Sequence, residues 1–192
     1  MSDQGIISRR LIHKGRKFDF EQVVVAGASG EPIAREVVRH PGAVVVVPVL
    51  EDGGGPGGGG GGARLVMIRN RRVAVGETLL EFPAGTLDEG ERPEACAGRE
   101  LAEETGYEAR GVVALGWFYT TPGLTDERMH AFVATGLREV GQRLEEDESI
   151  TVEVLPAAEV LRRVDAGELR DGKSIVALFL AMRRGLVGAA GR

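Results

Sequence analysis

The decisive stretch runs from Gly85 to Tyr107 and reads GTLDEGERPEACAGRELAEETGY. Pro93 suits a first helical turn, Glu94 to Thr105 is Ala-rich and helix-favouring, and Gly106 can end the helix in the left-handed conformation. At about 100° per residue, Glu103 and Glu104 then fall within roughly 60° of Glu100 on the helix surface. Three carboxylates on one stripe repel, by a few tenths of a kcal/mol per pair on an isolated helix. A hard divalent cation offsets that repulsion directly. A merely solvated acidic face is the plainer alternative, with Arg99 neutralising part of it. Two features argue for the cation. Glu91 and Arg99 can pair and pin the preceding loop to the helix, and Pro83-Ala84-Gly85 offers irregular backbone carbonyls just upstream.

Working outward, Glu77 to Phe82 reads as a short strand that Pro83-Ala84-Gly85 breaks. Ala43 to Leu50 is a near-continuous apolar run, as in a strand buried on both faces. Phe18 to Val25 and Ile33 to Val38 flank the turn-like Ala26–Gly30 and read as an antiparallel hairpin. Further strands are expected near Leu65–Ile68, Ala109–Leu115, Met129–Thr135 and Ile150–Leu155, with helices over Ala157–Ala166 and Ser174–Arg184. Mixed strands, a central helix and a late helical pair make an α/β layered fold. Residues 53–62, Gly-Gly-Gly-Pro and six more glycines, read as a flexible loop. No Lys-Ser or Lys-Thr follows them, which argues against a phosphate loop.

The 192 residues fit one domain with a modest appendage. A net charge of −5 argues against a general nucleic-acid binder, since phosphate neutralisation needs clustered cations. With one cysteine, Cys96, no intrachain disulfide forms. No apolar run has the roughly 18 residues needed to span a bilayer, and the first twenty residues lack a signal-type core. These features lead us to expect a soluble cytoplasmic protein.

The segment 85–107 resembles the Nudix box at every specified position: Gly85, Glu91, Arg99, Glu100, Leu101, Glu103, Glu104, Gly106 and Tyr107. The resemblance implies a Nudix-type α/β/α sandwich over 42–192, with an added N-terminal β-hairpin and dimerisation region over 1–41. It implies an Mg²⁺-dependent pyrophosphohydrolase, with Mn²⁺ a possible substitute. Glu100, Glu104, Glu103 and the Ala84 carbonyl would hold metal, and Arg99 and Glu91 would orient the cluster. Glu103 would ligate directly or through water, with a share in catalysis.

The flanks narrow the substrate. RNRRVAVGETLLEFPAG (69–85) and LGWFYTTPGLTDERMHAF (115–132) resemble ADP-ribose pyrophosphatases, including Pro122 sixteen positions past Gly106. That resemblance implies cleavage of ADP-ribose by a homodimer, with Arg35 and Glu36 at the adenosine end across the subunit interface. Arg72 would neutralise substrate phosphate, or else be a solvent-facing strand residue. Asp126 would approach the terminal ribose. In LEEDESITV (144–152) the resemblance implies a general base, Glu146, and a further metal contact, Glu148; the neighbouring Glu145 and Asp147 leave that register open. Other nucleoside diphosphate sugars such as GDP-mannose, dinucleotides, or a non-catalytic nucleotide-binding module are the alternatives.

Gly167 with Gly172-Lys173-Ser174 satisfies the P-loop pattern, but an amphipathic helix rather than a strand is expected before it. Cys96 and His130 read as packing residues. Trp117 reads as packing or as a base-stacking residue.

Overall fold

The computed structural model describes residues 5–50, 63–144 and 149–188. Its elements form two sheets. The first contains β1 (Ile6–Lys14), β2 (Asp19–Ala26) and β3 (Pro32–Arg39), antiparallel and in that order. The expected hairpin is there as β2 and β3, with Val23 opposite Arg35 and Gln22 opposite Glu36. Strand β1 is an addition to it. Its sequence, IISRRLIHK, shows no apolar alternation, and all of it beyond Ile6 is exposed.

The second sheet has seven strands. β4 (Ala43–Leu50) lies at its centre, between β5 (Arg64–Arg72) and β9 (Arg128–Glu139). β10 (Ile150–Pro156) flanks β5, and β8 (Tyr107–Tyr119) flanks β9. β6 (Glu77–Glu81) pairs with β5, and β7 (Ala84–Thr86) with β4. Only β4 and β9 run parallel among the registered pairs of this sheet, so it is mixed. Pro83-Ala84-Gly85 does end β6, but the chain resumes at once as β7 against Ala43–Val45. That short pairing seats the cleft floor on the central strand.

Period-two alternation sorts the apolar run of β4 into two cores. Val44 and Val46 pack with Cys96, Ala97 and Leu101 of α1 (Pro93–Thr105) and with Phe132. Val45, Val47 and Val49 face the other way. There they meet Val160 of α2 (Ala157–Asp165) and Ala177, Leu178 and Ala181 of α3 (Gly172–Arg183). Helices therefore cover both faces of the sheet, the expected sandwich. Leu101 is fully buried, and truncating such a leucine to Ala costs about 2–5 kcal/mol.

Helix α1 begins at Pro93 after an Arg92 cap that supplies no side-chain bond. It ends on Gly106 at φ 74°, whose N–H donates to the Ala102 carbonyl. A Cβ there would stand 2.8 Å from the Gln142 nitrogen, so glycine is required for space as well as for its dihedral.

The two sheets join through the loop before β9. Val38 N–H donates to Leu124 O, and Val38 bridges to Thr125. Asp126 accepts from the His40 N–H at 2.9 Å and pairs with Arg39 at 3.0 Å.

Candidate active site: a carboxylate helix facing a two-lobed cleft

The acidic stripe of α1 divides according to what each glutamate meets. Glu104 is 2% exposed, and its Oε2 accepts from the Ala84 N–H at 2.8 Å. Glu100 is 9% exposed and lies directly against Gly85. Glu103, half-buried, turns instead toward Arg99.

Arg99 hydrogen-bonds to three carboxylates. Its Nε and Nη2 donate to the two oxygens of Glu91 at 2.9 and 2.8 Å. Nη1 donates to Glu100 Oε1 at 2.7 Å and to Glu103 Oε2 at 3.1 Å. Hydrogen bonds from Arg99 hold the Glu91 carboxyl down at about 2, and the same pairing raises Arg99 above its ordinary range. The expected pin between Glu91 and α1 is thus formed. The Cys96 thiol sits against the Thr86 carbonyl and accepts from Arg99. Burial pushes its pKa well up, as suits a packing residue.

Two adjoining cavities of about 530 and 520 Å³ open in front of this helix. They share Arg72, Ala84, Gly85 and Thr86. The second lobe carries Glu100, Glu104 and Arg99, together with Arg16 and Lys17 from the β1–β2 turn. The first carries Tyr119, Thr120, Glu127, Asp171 and Lys173.

Arg72, the sequence candidate for phosphate, stands where the lobes meet, but it is not a lone solvated cation. Its Nε and Nη2 donate to both oxygens of Glu81 at 2.8 and 2.6 Å. Glu81 is completely buried. Burial alone would raise its pKa; the Arg72 hydrogen bonds and the Lys173 charge outweigh that and lower it. Hydrogen bonding to Glu81 likewise raises the pKa of Arg72. Sequence alone does not single out Glu81. Its one signal was an ionisable residue closing the apolar run Leu79-Leu80 just before Phe82-Pro83.

Asp126 is engaged in joining the sheets and does not line either lobe, whereas its neighbour Glu127 does. Arg35 and Glu36 are exposed on the edge strand β3 and line neither lobe of this chain. Glu146 and Glu148 lie outside the described residues, as does the Gly-rich segment 53–62. The chain just before 145 is tethered to α1: Arg143 N–H donates to the Glu103 carbonyl, and Gln142 Nε2 to those of Glu104 and Ile150.

The P-loop pattern is excluded by its surroundings. Helix α2 precedes it, Ser174 is fully buried, and its Oγ accepts from the Phe82 N–H. His130 lies in β9, where burial lowers its pKa. Trp117 is half exposed, edge-on to Tyr119 with Arg128 over its ring.

A divalent cation fits the donor set at α1. Two buried carboxylates border one lobe beside Ala84, all hard oxygen ligands, and Gly85 leaves room for the Glu100 carboxylate against the cleft floor. Among the described residues no three acidic, His or Cys side chains close into a metal cage.

Fold and site together define a layered α/β protein whose central helix presents glutamates to one lobe of a two-lobed cleft. The chain belongs to the NUDIX domain family, whose model matches residues 39–178. It is 34% identical over 187 residues to the ADP-ribose pyrophosphatase of Bacillus subtilis (strain 168), covering 96% of each chain. It is 33% identical over 187 residues, again 96% of each chain, to the methanol dehydrogenase activator of Bacillus methanolicus. A solved structure of an ADP compounds hydrolase matches with a TM-score of 0.77 at 25% identity, covering 94% of this chain and 92% of that one.

Proposed function

We propose that this chain hydrolyses the diphosphate bond of a nucleoside diphosphate sugar, with ADP-ribose the favoured substrate, giving AMP and ribose 5-phosphate. The observation that carries the reading is the buried pair Glu100 and Glu104, bordering a two-lobed cleft whose lobes meet at Arg72. A diphosphate placed at that junction lies between a guanidinium and the carboxylates, with a lobe on each side for its two substituents. Similarity to an ADP-ribose pyrophosphatase and to an ADP compounds hydrolase supports the choice of substrate.

Glu100, Glu104 and Ala84 would hold a divalent cation, which we assign as Mg²⁺ with Mn²⁺ able to replace it; Glu103 and Glu148 would add to the set. When bound, it neutralises diphosphate charge and acidifies attacking water. Arg99 fixes the carboxylates so that they need not reorganise. Glu146 is assigned as the base that accepts the proton from the attacking water. Water adds to one phosphorus, the bridging P–O bond breaks, and the departing phosphate retains the bridging oxygen. Arg35 and Glu36 would act at the adenosine end of a partner's cleft in a homodimer, with residues 1–41 as the dimerising region. Asp126 would act near the terminal ribose chiefly by holding its loop. No helix among the described residues is long and apolar enough to cross a membrane, and we assign the protein to the cytoplasm.

The test is phosphate-monoester release from ADP-ribose, GDP-mannose, UDP-glucose, NADH and a diadenosine polyphosphate, each with Mg²⁺, Mn²⁺ and EDTA. Metal-dependent cleavage with ADP-ribose ahead is expected. Cleavage led by GDP-mannose would keep the reaction and replace the substrate. No cleavage with either metal would leave a nucleotide-binding module.

A further inference from the structure

The lysine of the spurious P-loop pattern has a different employment. Lys173 begins α3, yet its side chain turns inward and is only 14% exposed. Its Nζ lies 2.5 Å from Glu81 Oε2 and 2.9 Å from Asp171 Oδ2. Glu81 Oε2 also accepts from Arg72 Nη2, so one buried carboxylate holds two cations. Both line the first lobe, and Arg72 lines the second as well.

Burying a carboxylate completely is costly, and an ion pair seldom recovers the loss as stability. An apolar residue at the end of β6 would fold as well or better. What Glu81 supplies instead is geometry. Bonded through Nε and Nη2, the Arg72 guanidinium is fixed in plane, and its Nη1 has no hydrogen-bond partner among the described residues. The flexible stem of Lys173 is fixed in the same way. Asp171 holds the other side of this arrangement: its Oδ2 accepts from the Ser174 N–H and Oγ–H. Glu81 and Asp171 cancel the charges of Arg72 and Lys173. The cluster therefore offers an incoming phosphate oriented N–H donors rather than excess charge. Donors fixed before binding lose little entropy on meeting the ligand.

We propose that Lys173 is a substrate-binding residue and Glu81 a positioning residue: Glu81 sets the Arg72 fork and the Lys173 ammonium side by side on the cleft wall, where they receive phosphate oxygens of the diphosphate. This rests on the reading of the cleft as a nucleoside diphosphate site. It gives β6 and the start of α3 a direct part in substrate binding, outside the glutamate helix.

The test compares wild type, Lys173→Met, Lys173→Arg and Glu81→Gln by two measurements. One is kcat and KM for ADP-ribose with Mg²⁺. The other is the rise in melting temperature that inorganic pyrophosphate produces in EDTA. Loss of one charge-assisted bond to phosphate raises KM about tenfold. Lys173→Met is expected to show that rise with kcat within about threefold, and a pyrophosphate stabilisation cut by at least about half. Lys173→Arg should recover KM to within about threefold of wild type, which a purely structural role would not require. Glu81→Gln should raise KM more than Lys173→Met, because both cations are loosened; if it does not fold, the Lys173 variants decide. A folded Lys173→Met protein with unchanged KM and unchanged pyrophosphate stabilisation overturns the proposal. Should wild type cleave no diphosphate, the substrate reading fails, and the pyrophosphate arm still decides: equal stabilisation of wild type and Lys173→Met, or none of either, sinks it.

Discussion

Gly85 and Glu100 occupy adjoining space so tightly that a Cβ on Gly85 would stand 1.9 Å from the Glu100 carboxyl carbon and from its Oε1. The glycine is where the cleft floor gives way to the carboxylate. Gly85→Ala should push Glu100 aside without unfolding the protein, since the clash is with the end of a side chain. A displacement of about 1 Å at a reacting centre costs on the order of 10²-fold in rate. We expect kcat to fall by about that factor with the melting temperature nearly unchanged, measured by steady-state assay and calorimetry. A fully active Gly85→Ala enzyme would remove Glu100 from the metal set.

Glu104→Gln separates chemistry from folding at the other buried carboxylate. The amide oxygen can still accept from the Ala84 N–H, so the local fold should hold. The charge is lost, and turnover should drop by at least ~10²-fold, the scale for removing acid–base or charge-stabilising groups. Near-normal turnover in a folded protein would refute the site assignment.

Stability should carry a signature of the Glu91–Arg99 pair. Folding lowers the Glu91 carboxyl from the ordinary 4.5 to about 2. A depressed carboxylate stabilises fully above its unfolded pKa, and that contribution disappears as pH falls through the folded value. The stability difference between wild type and Glu91→Gln should therefore be flat above about pH 4.5 and shrink toward about pH 2. Denaturant titrations across that range read it; a difference independent of pH would mean the pair contributes nothing through charge.

The Cys96 thiol should be nearly inert in the native state. It is fully buried, and burial pushes its pKa up, so little thiolate forms at pH 8. Iodoacetamide should modify native protein far more slowly than guanidinium-unfolded protein. Equal rates would show that α1 opens readily.

Asp126→Ala should loosen the junction between the sheets. It removes the bond from the His40 N–H and the pair with Arg39, a partly exposed pair of modest worth. Together these amount to about 1–2 kcal/mol. That corresponds to a fall of about 2–8 °C in melting temperature for a domain of this size. Because Glu127 is next in the chain and lines the first lobe, KM for ADP-ribose should rise as well. A stability loss with unchanged KM would confine Asp126 to the junction.

Much of this was legible in the residues because local rules dominate there. Pro93 and Gly106 bound α1 as their backbone preferences require, and the apolar run of β4 is buried on both faces of the central sheet. Spacing placed Glu100 and Glu104 on one stripe, and both are buried at the cleft. Illegible were features set by contacts distant in sequence. Strand β1 has no core-facing alternation, since pairing to β2 is what orders it. Glu81 and Lys173 meet across 92 positions, and neither carries a local mark of the other. Lys173 instead imitated a motif whose preceding strand is absent. Asp126 likewise carries no local mark of its bonds to His40 and Arg39, which tie its loop to the first sheet.

The hairpin formed by β8 and β9 leaves α1 at Gly106 and returns to it: Val140 and Gly141 N–H groups both donate to the Gly106 carbonyl. Its far end, from Tyr119 to Arg128, forms part of the first lobe. Seen from the glutamates, the excursion starts and finishes at one anchored point. Insertions or substitutions at its tip can therefore reshape which group the cleft admits while the root, and the helix register with it, stays put. Such a plan lets recognition diversify under selection as reaction chemistry is inherited unchanged.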